Sequence, residues 1–179
     1  MNYEWSEEMS EKAQTIIDQD ESLMTEEKIT KLENYQRLHW DVFFKNNKDH
    51  AYKDRHYIRY EFTDLTEAIQ SKQQCTLLDY GCGTGAGFYP LAKDLDANFE
   101  YLRVNACDIS KTAVRLLKEH EMFKEDRIEA HQCDLVNDEI PFEPHTADFC
   151  LILFVLSAIT PEKYPLVLAK LADQMKPGG

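Results

Sequence analysis

Asp79-Tyr80-Gly81-Cys82-Gly83-Thr84-Gly85-Ala86-Gly87 is the stretch that decides the fold. It follows the short apolar run Cys75-Thr76-Leu77-Leu78 and leads into a helical segment over about residues 87–95. A strand, a glycine-rich turn and a helix, in that order, open a doubly wound α/β sheet. Glycines at such a turn let the backbone come close to a ligand and aim its amides at it. Taken alone, the turn suits a dinucleotide, a methyl donor or a tight bend. Gly81, Gly83 and Ala86 even satisfy the GxGxxA form of a nucleotide fingerprint.

The alternation continues downstream. Residues 101–106 read as a second strand closed by Cys107-Asp108, and Ser110 is a good N-cap for a helix carrying Ala113, Val114, Leu116 and Leu117. Residues 128–133 form a third strand ending at Asp134. Residues 148–154 form a fourth, nearly all apolar, as expected of a strand covered on both faces. A loop over 138–145 replaces the third crossover helix. Thr160-Pro161-Glu162 starts a last helix, which runs to about Met175 before Lys176-Pro177-Gly178-Gly179. Upstream, residues 10–20 predict a short helix with Ala13, Ile16 and Ile17 inward. Thr25 caps a longer helix ending near Asn46-Asn47, with Ile29, Leu32, Trp40 and Phe43 at helical spacing. The expected organisation is a helical extension over 1–72 and a Rossmann-like α/β domain over 73–179.

The strand-end acids separate the possible cofactors. Asp79 precedes the glycines, where a carboxylate would repel a pyrophosphate but helps organise the ammonium of a methionine moiety. Asp108 ends the second strand, where it can accept both ribose hydroxyls. Asp134 ends the third, where it can accept an adenine amino group, with Leu135 and Leu153 as apolar contacts to the ring. Glycines plus acids at the ends of three successive strands favour S-adenosyl-L-methionine over NAD. Singly, each Asp is more often a cap or turn residue. The fourth strand reads Leu153-Phe154-Val155-Leu156-Ser157-Ala158-Ile159 and holds no base, no amide clamp and no activated cysteine. No catalytic residue is therefore assigned. An acceptor that already carries a free lone pair needs none, only positioning.

The chain has 179 residues and a formal net charge of −13. That balance argues against a broad nucleic-acid surface. The charge is uneven, however: Arg37, Lys45, Lys48, Lys53, Arg55 and Arg59 cluster with His39, His50 and His56. The five cysteines include no CxxC pair and read as small buried thiols rather than zinc ligands or disulfides, so no metal is expected. The acidic N-terminus lacks the pattern of a secretory or mitochondrial signal, and no run is long enough to span a bilayer. A cytoplasmic or nuclear protein without a membrane partner is the expectation.

Four stretches together resemble the tRNA N3-methylcytidine methyltransferases. They are Trp40-Asp41-Val42-Phe43-Phe44-Lys45-Asn46-Asn47; Tyr52-Lys53-Asp54-Arg55-His56-Tyr57 with Glu61-Phe62 and Leu65; Leu78 through Gly85; and Phe154 to Ile159 with Pro161-Glu162-Lys163, Leu171 and Lys176-Pro177-Gly178. The resemblance implies that Trp40 and Phe44 lie over the cofactor from an N-terminal helix, and that Gly81 and Gly83 approach its methionine part. It implies that Asp108 holds the ribose, that Asp134 and Leu135 hold the adenine, and that Leu153 lines the pocket. Lys53, Arg55 and His56 then belong to a substrate-facing segment, with Tyr52 and Tyr57 as candidates to stack on a flipped base. The family methylates cytidine 32 of certain tRNAs, and some members require another protein, such as seryl-tRNA synthetase, to present the tRNA. Asp79 stands where the family commonly has Glu, Phe44 where it has Tyr, and Ala51 where it has an aromatic residue. Family members continue past the Pro-Gly-Gly turn with a fifth strand, a helix and a final antiparallel pair, so the sheet within these residues is expected to be incomplete. Two other readings remain open at this level: a methyltransferase with a small-molecule or protein acceptor, and an inactive fragment or subunit that binds a partner.

Overall fold

A computed structural model describes residues 5–20, 24–96 and 98–178. The chain divides into two compact units, residues 1–36 and 37–179. Residues 37–72, grouped with the N-terminal extension on sequence grounds, thus fall in the same unit as the sheet.

In the first unit, helix α1 (Glu7–Asp18) starts at Ser6, whose side chain accepts the Met9 N–H. It buries none of its residues. Ile16 and Ile17, expected to face inward, are 70% and 64% exposed. The spacing that suggests an inward face marks only an amphipathic helix, and it does not say what covers it. Helix α2 (Glu26–Asn47) runs from this unit into the second.

The second unit is built on four parallel strands in the order β3-β2-β1-β4. They are β1 (Cys75–Tyr80), β2 (Leu102–Asp108), β3 (Ile128–Gln132) and β4 (Phe149–Leu151). Helices α3 (Ile58–Glu61), α4 (Thr63–Gln70), α5 (Phe88–Leu95), α6 (Lys111–Lys118) and α7 (Tyr164–Gln174) complete it. This is the expected Rossmann-like sheet with N-terminal helices, incomplete relative to a full methyltransferase domain. Side chains alternate across the strands and build two cores. Leu77, Val104, Ala106, Ile128 and Leu151 pack with Leu65, Ile69, Phe88 and Leu117. Leu78, Tyr80, Cys107 and Cys133 pack with Phe142 and Val167. Among the described residues, no helix is long and apolar enough to cross a membrane.

Strand β4 is shorter than the apolar run 148–154 suggests. It pairs with β1 only from Leu77↔Phe149 to Asp79↔Leu151. Phe154 then takes a left-handed φ of 62°, and Leu156–Ala158 turn as a 3-10 helix. The ladder has ended at Leu151, and beyond the left-handed Phe154 the chain folds back so that Val155 lies against Gly81 of the glycine turn.

Candidate cofactor site

The carboxyl ends of β1, β2 and β3 carry the site. Asp108 is 7% exposed, and its two oxygens accept different backbone donors: Oδ2 takes the Gly83 N–H at 2.9 Å and Oδ1 takes the Ser110 N–H at 2.8 Å. A carboxylate offers about four acceptor positions, so these bonds orient Asp108 and leave capacity for a diol. Burial pushes its pKa up to about 6, opposed by the Ser110 and Gly83 amides. Asp79 is 4% exposed. Burial pushes it up to about 7, with Arg55 pulling it down and Asp108 adding to the rise. Two buried acids side by side make a site that gains from receiving positive charge.

The glycine turn needs its glycines for local reasons. Gly81 and Gly83 have φ of 71° and 55°, the left-handed region that other residues avoid. A Cβ at Gly81 would overlap Val155 Cγ2, and one at Gly83 would come within 3.3 Å of Phe44 Cζ. The turn is therefore closed from one side by the segment after β4 and from the other by α2.

Phe44 is the one buried residue of α2 and 2% exposed. Trp40 is half-buried, its ring 6.2 Å from that of Phe44 and 5.5 Å from that of Phe43. Both expected aromatic residues of α2 are thus grouped, and Phe44 rests on the glycine turn. Between them stands Asp41, which sequence reasoning missed. Its Oδ1 accepts the Ser110 hydroxyl at 2.7 Å and the Thr112 N–H at 2.9 Å. Partial burial pulls the other way, but those donors hold its carboxylate below the usual range. The only hint in the sequence is an acid set beside an apolar stripe, which normally means a solvated face.

Arg55 is fixed by both ends. Its backbone N–H donates to Ala86 O at 2.9 Å, joining it to the glycine turn. Its guanidinium lies 5.8 Å from the Tyr52 ring centre and 5.1 Å from that of Phe154. Tyr52 also packs near Phe43 and Phe44. Burial raises the Tyr52 hydroxyl pKa, with Arg55 opposing and Asp108 adding to the rise. Phe154 is 76% exposed, an aromatic face held out at a strained backbone position.

The other expected residues are less convergent. His56 Nδ1 lies 3.3 Å from Asp94 Oδ2, which also takes Arg59 Nη1 at 2.9 Å, so this histidine is tied to α5. Lys53 and Tyr57 are exposed. Asp134 is spent largely on its own turn: Oδ1 accepts Val136 N–H and Asn137 N–H, and Oδ2 accepts the Asn137 side-chain amide at 2.9 Å. Leu135 packs in the core with Cys107, Phe142 and Val167, whereas Leu153 packs against the other core. The two leucines do not close on one space.

An S-adenosyl-L-methionine cradle fits these residues: left-handed glycines after β1, a buried acid beside them, and an oriented acid at the end of β2. A methyltransferase domain model matches residues 77–179. The chain belongs to the methyltransferase-domain family. Its cofactor is S-adenosyl-L-methionine. The resemblance to the tRNA N3-methylcytidine methyltransferases is borne out by the relatives. The rat tRNA N(3)-cytidine methyltransferase METTL6 (Rattus norvegicus) is 36% identical over 90% of this chain and 56% of its own length. The human METTL6 is 34% identical over 90% of this chain and 57% of its own length. The tRNA(Thr) (cytosine(32)-N(3))-methyltransferase of Saccharomyces cerevisiae is 35% identical over 99% of this chain and 29% of its own length. The chain thus spans between a quarter and three fifths of these family relatives. Among solved structures, Haemonchus contortus phosphoethanolamine N-methyltransferase 2 superimposes with a TM-score of 0.52 at 18% identity, over 78% of this chain and 34% of that one. YjhP from Escherichia coli gives 0.51 at 18% identity, over 77% and 53%. At these identities the family shares its fold with both, and nothing finer follows.

Proposed function

We propose that this chain is part of an enzyme that methylates N3 of a cytidine in the anticodon loop of tRNA. The observation that carries the reading is the Arg55 segment: a guanidinium near the rings of Tyr52 and Phe154, on a residue whose backbone N–H is hydrogen-bonded to the cofactor turn. Planar cations and exposed rings are how proteins hold splayed single-stranded bases. The relatives named for tRNA N3-cytidine methylation support the same acceptor.

The cofactor supplies a methyl group activated on a sulfonium. Cytosine N3 is unprotonated near neutral pH and needs no base. Asp79 and Asp108 lower the cost of a cationic product nearby. The residues of this chain orient and bind, and orientation alone is worth many orders of magnitude in rate. A base in a loop also costs less to flip than one in a duplex. The net charge of −13 fits an enzyme whose tRNA is presented by a partner, for which an aminoacyl-tRNA synthetase such as seryl-tRNA synthetase is the candidate. A cytoplasmic or nuclear setting belongs to the same reading.

The test is methyl transfer from labelled S-adenosyl-L-methionine to unmodified tRNA, with and without the synthetase, and nucleosides resolved by mass. The expected product is N3-methylcytidine, lost when cytidine 32 is replaced by uridine. A different methylated nucleoside, or transfer to protein instead, would overturn the reading.

A further inference from the structure

Three residues of α2 meet three strand-end turns in sheet order. Arg37 Nη2 pairs with Asp138 Oδ2 at 3.1 Å, in the turn after β3. Asp41 holds Ser110 and Thr112 after β2. Phe44 rests against Gly83 after β1. Those strands are neighbours in the order β3-β2-β1. Two turns of helix from residue 37 to 44 advance about 10 Å, and two strand spacings also come to about 10 Å. Spacing along α2 therefore matches spacing across the sheet, and the helix can address all three turns at once.

We propose that Asp41 is a positioning residue of the cofactor site, setting the Asp108 carboxylate through Ser110. The path is continuous. Asp41 Oδ1 takes the Ser110 hydroxyl, and that hydroxyl oxygen accepts the Ala113 N–H at the start of α6. The Ser110 backbone N–H then donates to Asp108 Oδ1, and Asp108 Oδ2 holds Gly83. Phe44, one turn along from Asp41, closes the circuit on Gly83. Ser110 is fully buried, so its hydroxyl has no solvent to turn to if Asp41 is removed. Arg37 does the same for the β3 turn with less force, because its ion pair is 48% and 45% exposed.

The proposal rests on Asp108 as the acid that holds the ribose. The experiment compares binding of S-adenosylhomocysteine with that of its 2′-deoxyribose analogue by calorimetry. Asp41→Ala removes the bonds from Ser110 and Thr112; it is expected to weaken S-adenosylhomocysteine about tenfold and to shrink its advantage over the deoxy analogue. Asp41→Asn keeps an oxygen acceptor at the same place and is expected to recover most of both. Ser110→Ala provides a second route to the same loss should Asp41→Ala not fold. A merely structural tie would lower the melting temperature and both affinities together, leaving their ratio unchanged, and that result overturns the proposal. Asp108→Asn separates the two ideas. If it leaves the ratio intact, the ribose assignment fails. If it abolishes the ratio while a folded Asp41→Ala retains it, only the role of Asp41 fails.

Discussion

The Gly83 N–H and Asp108 Oδ2 are joined at 2.9 Å across two neighbouring strand ends. The glycine turn and the β2 acid are thus one hydrogen-bonded unit, not two motifs that happen to be near. Disturbing either moves both.

Gly81→Ala should therefore damage folding and binding together. The substitution forces a side chain into the left-handed region and into Val155. A loss of roughly 1–3 kcal/mol is expected, read from denaturant unfolding. Adding Val155→Ala should return part of it. No recovery in the double variant would put the whole cost on the backbone.

Asp79 gives a pH signature. An unfolded aspartate titrates near 3.9, while burial raises this one to about 7. Between those values the folded state keeps a proton that the unfolded state releases, so Asp79 makes stability fall as pH rises from about 4 to 7. Asp79→Asn should match the parent protein near pH 4 and exceed it in melting temperature above pH 7, in the absence of cofactor. Equal melting temperatures across that range would mean that Asp79 titrates normally.

Arg55→Ala should weaken tRNA binding more than cofactor binding. Its side chain faces Tyr52 and Phe154, while the tie to the glycine turn is made by its backbone N–H, which the substitution keeps. A severalfold loss in tRNA affinity is expected, on the order of 1 kcal/mol, measured by anisotropy beside calorimetry with S-adenosylhomocysteine. A larger loss for the cofactor would place the guanidinium in the cofactor pocket.

Tyr80→Phe should stabilise the protein. The Tyr80 hydroxyl is buried without a hydrogen-bond partner among the described residues, in a core that includes Cys107 and Cys133. Removing an unsatisfied buried hydroxyl is worth about 1–2 kcal/mol, visible as a higher melting temperature. A lower one would mean that a bound water satisfies it.

Strand ends and glycines were legible in the sequence because their signals are local. Asp79, Gly81, Gly83 and Asp108 each follow a short apolar run, and parallel strands bring such ends to one edge. What depends on distant packing was not legible. Asp41 meets Ser110 across 69 residues, and nothing near either one announces the other. Leu135 and Leu153 look alike as apolar residues beside strand ends, yet the turns that follow β3 and β4 pack them against different cores. The apolar run after Asp148 overstates β4, because hydrophobicity does not reveal that pairing with β1 stops at Leu151.

The match between α2 and the sheet makes residues 37 to 44 a part of fixed length. Deleting one residue there would turn everything beyond it by about 100° and shift it by about 1.5 Å, so Arg37 and Phe44 could not both reach their turns. In a chimera that grafts this N-terminal helix onto another methyltransferase, the splice therefore belongs before Arg37, because a joint inside the stretch would break the register on which three turns depend.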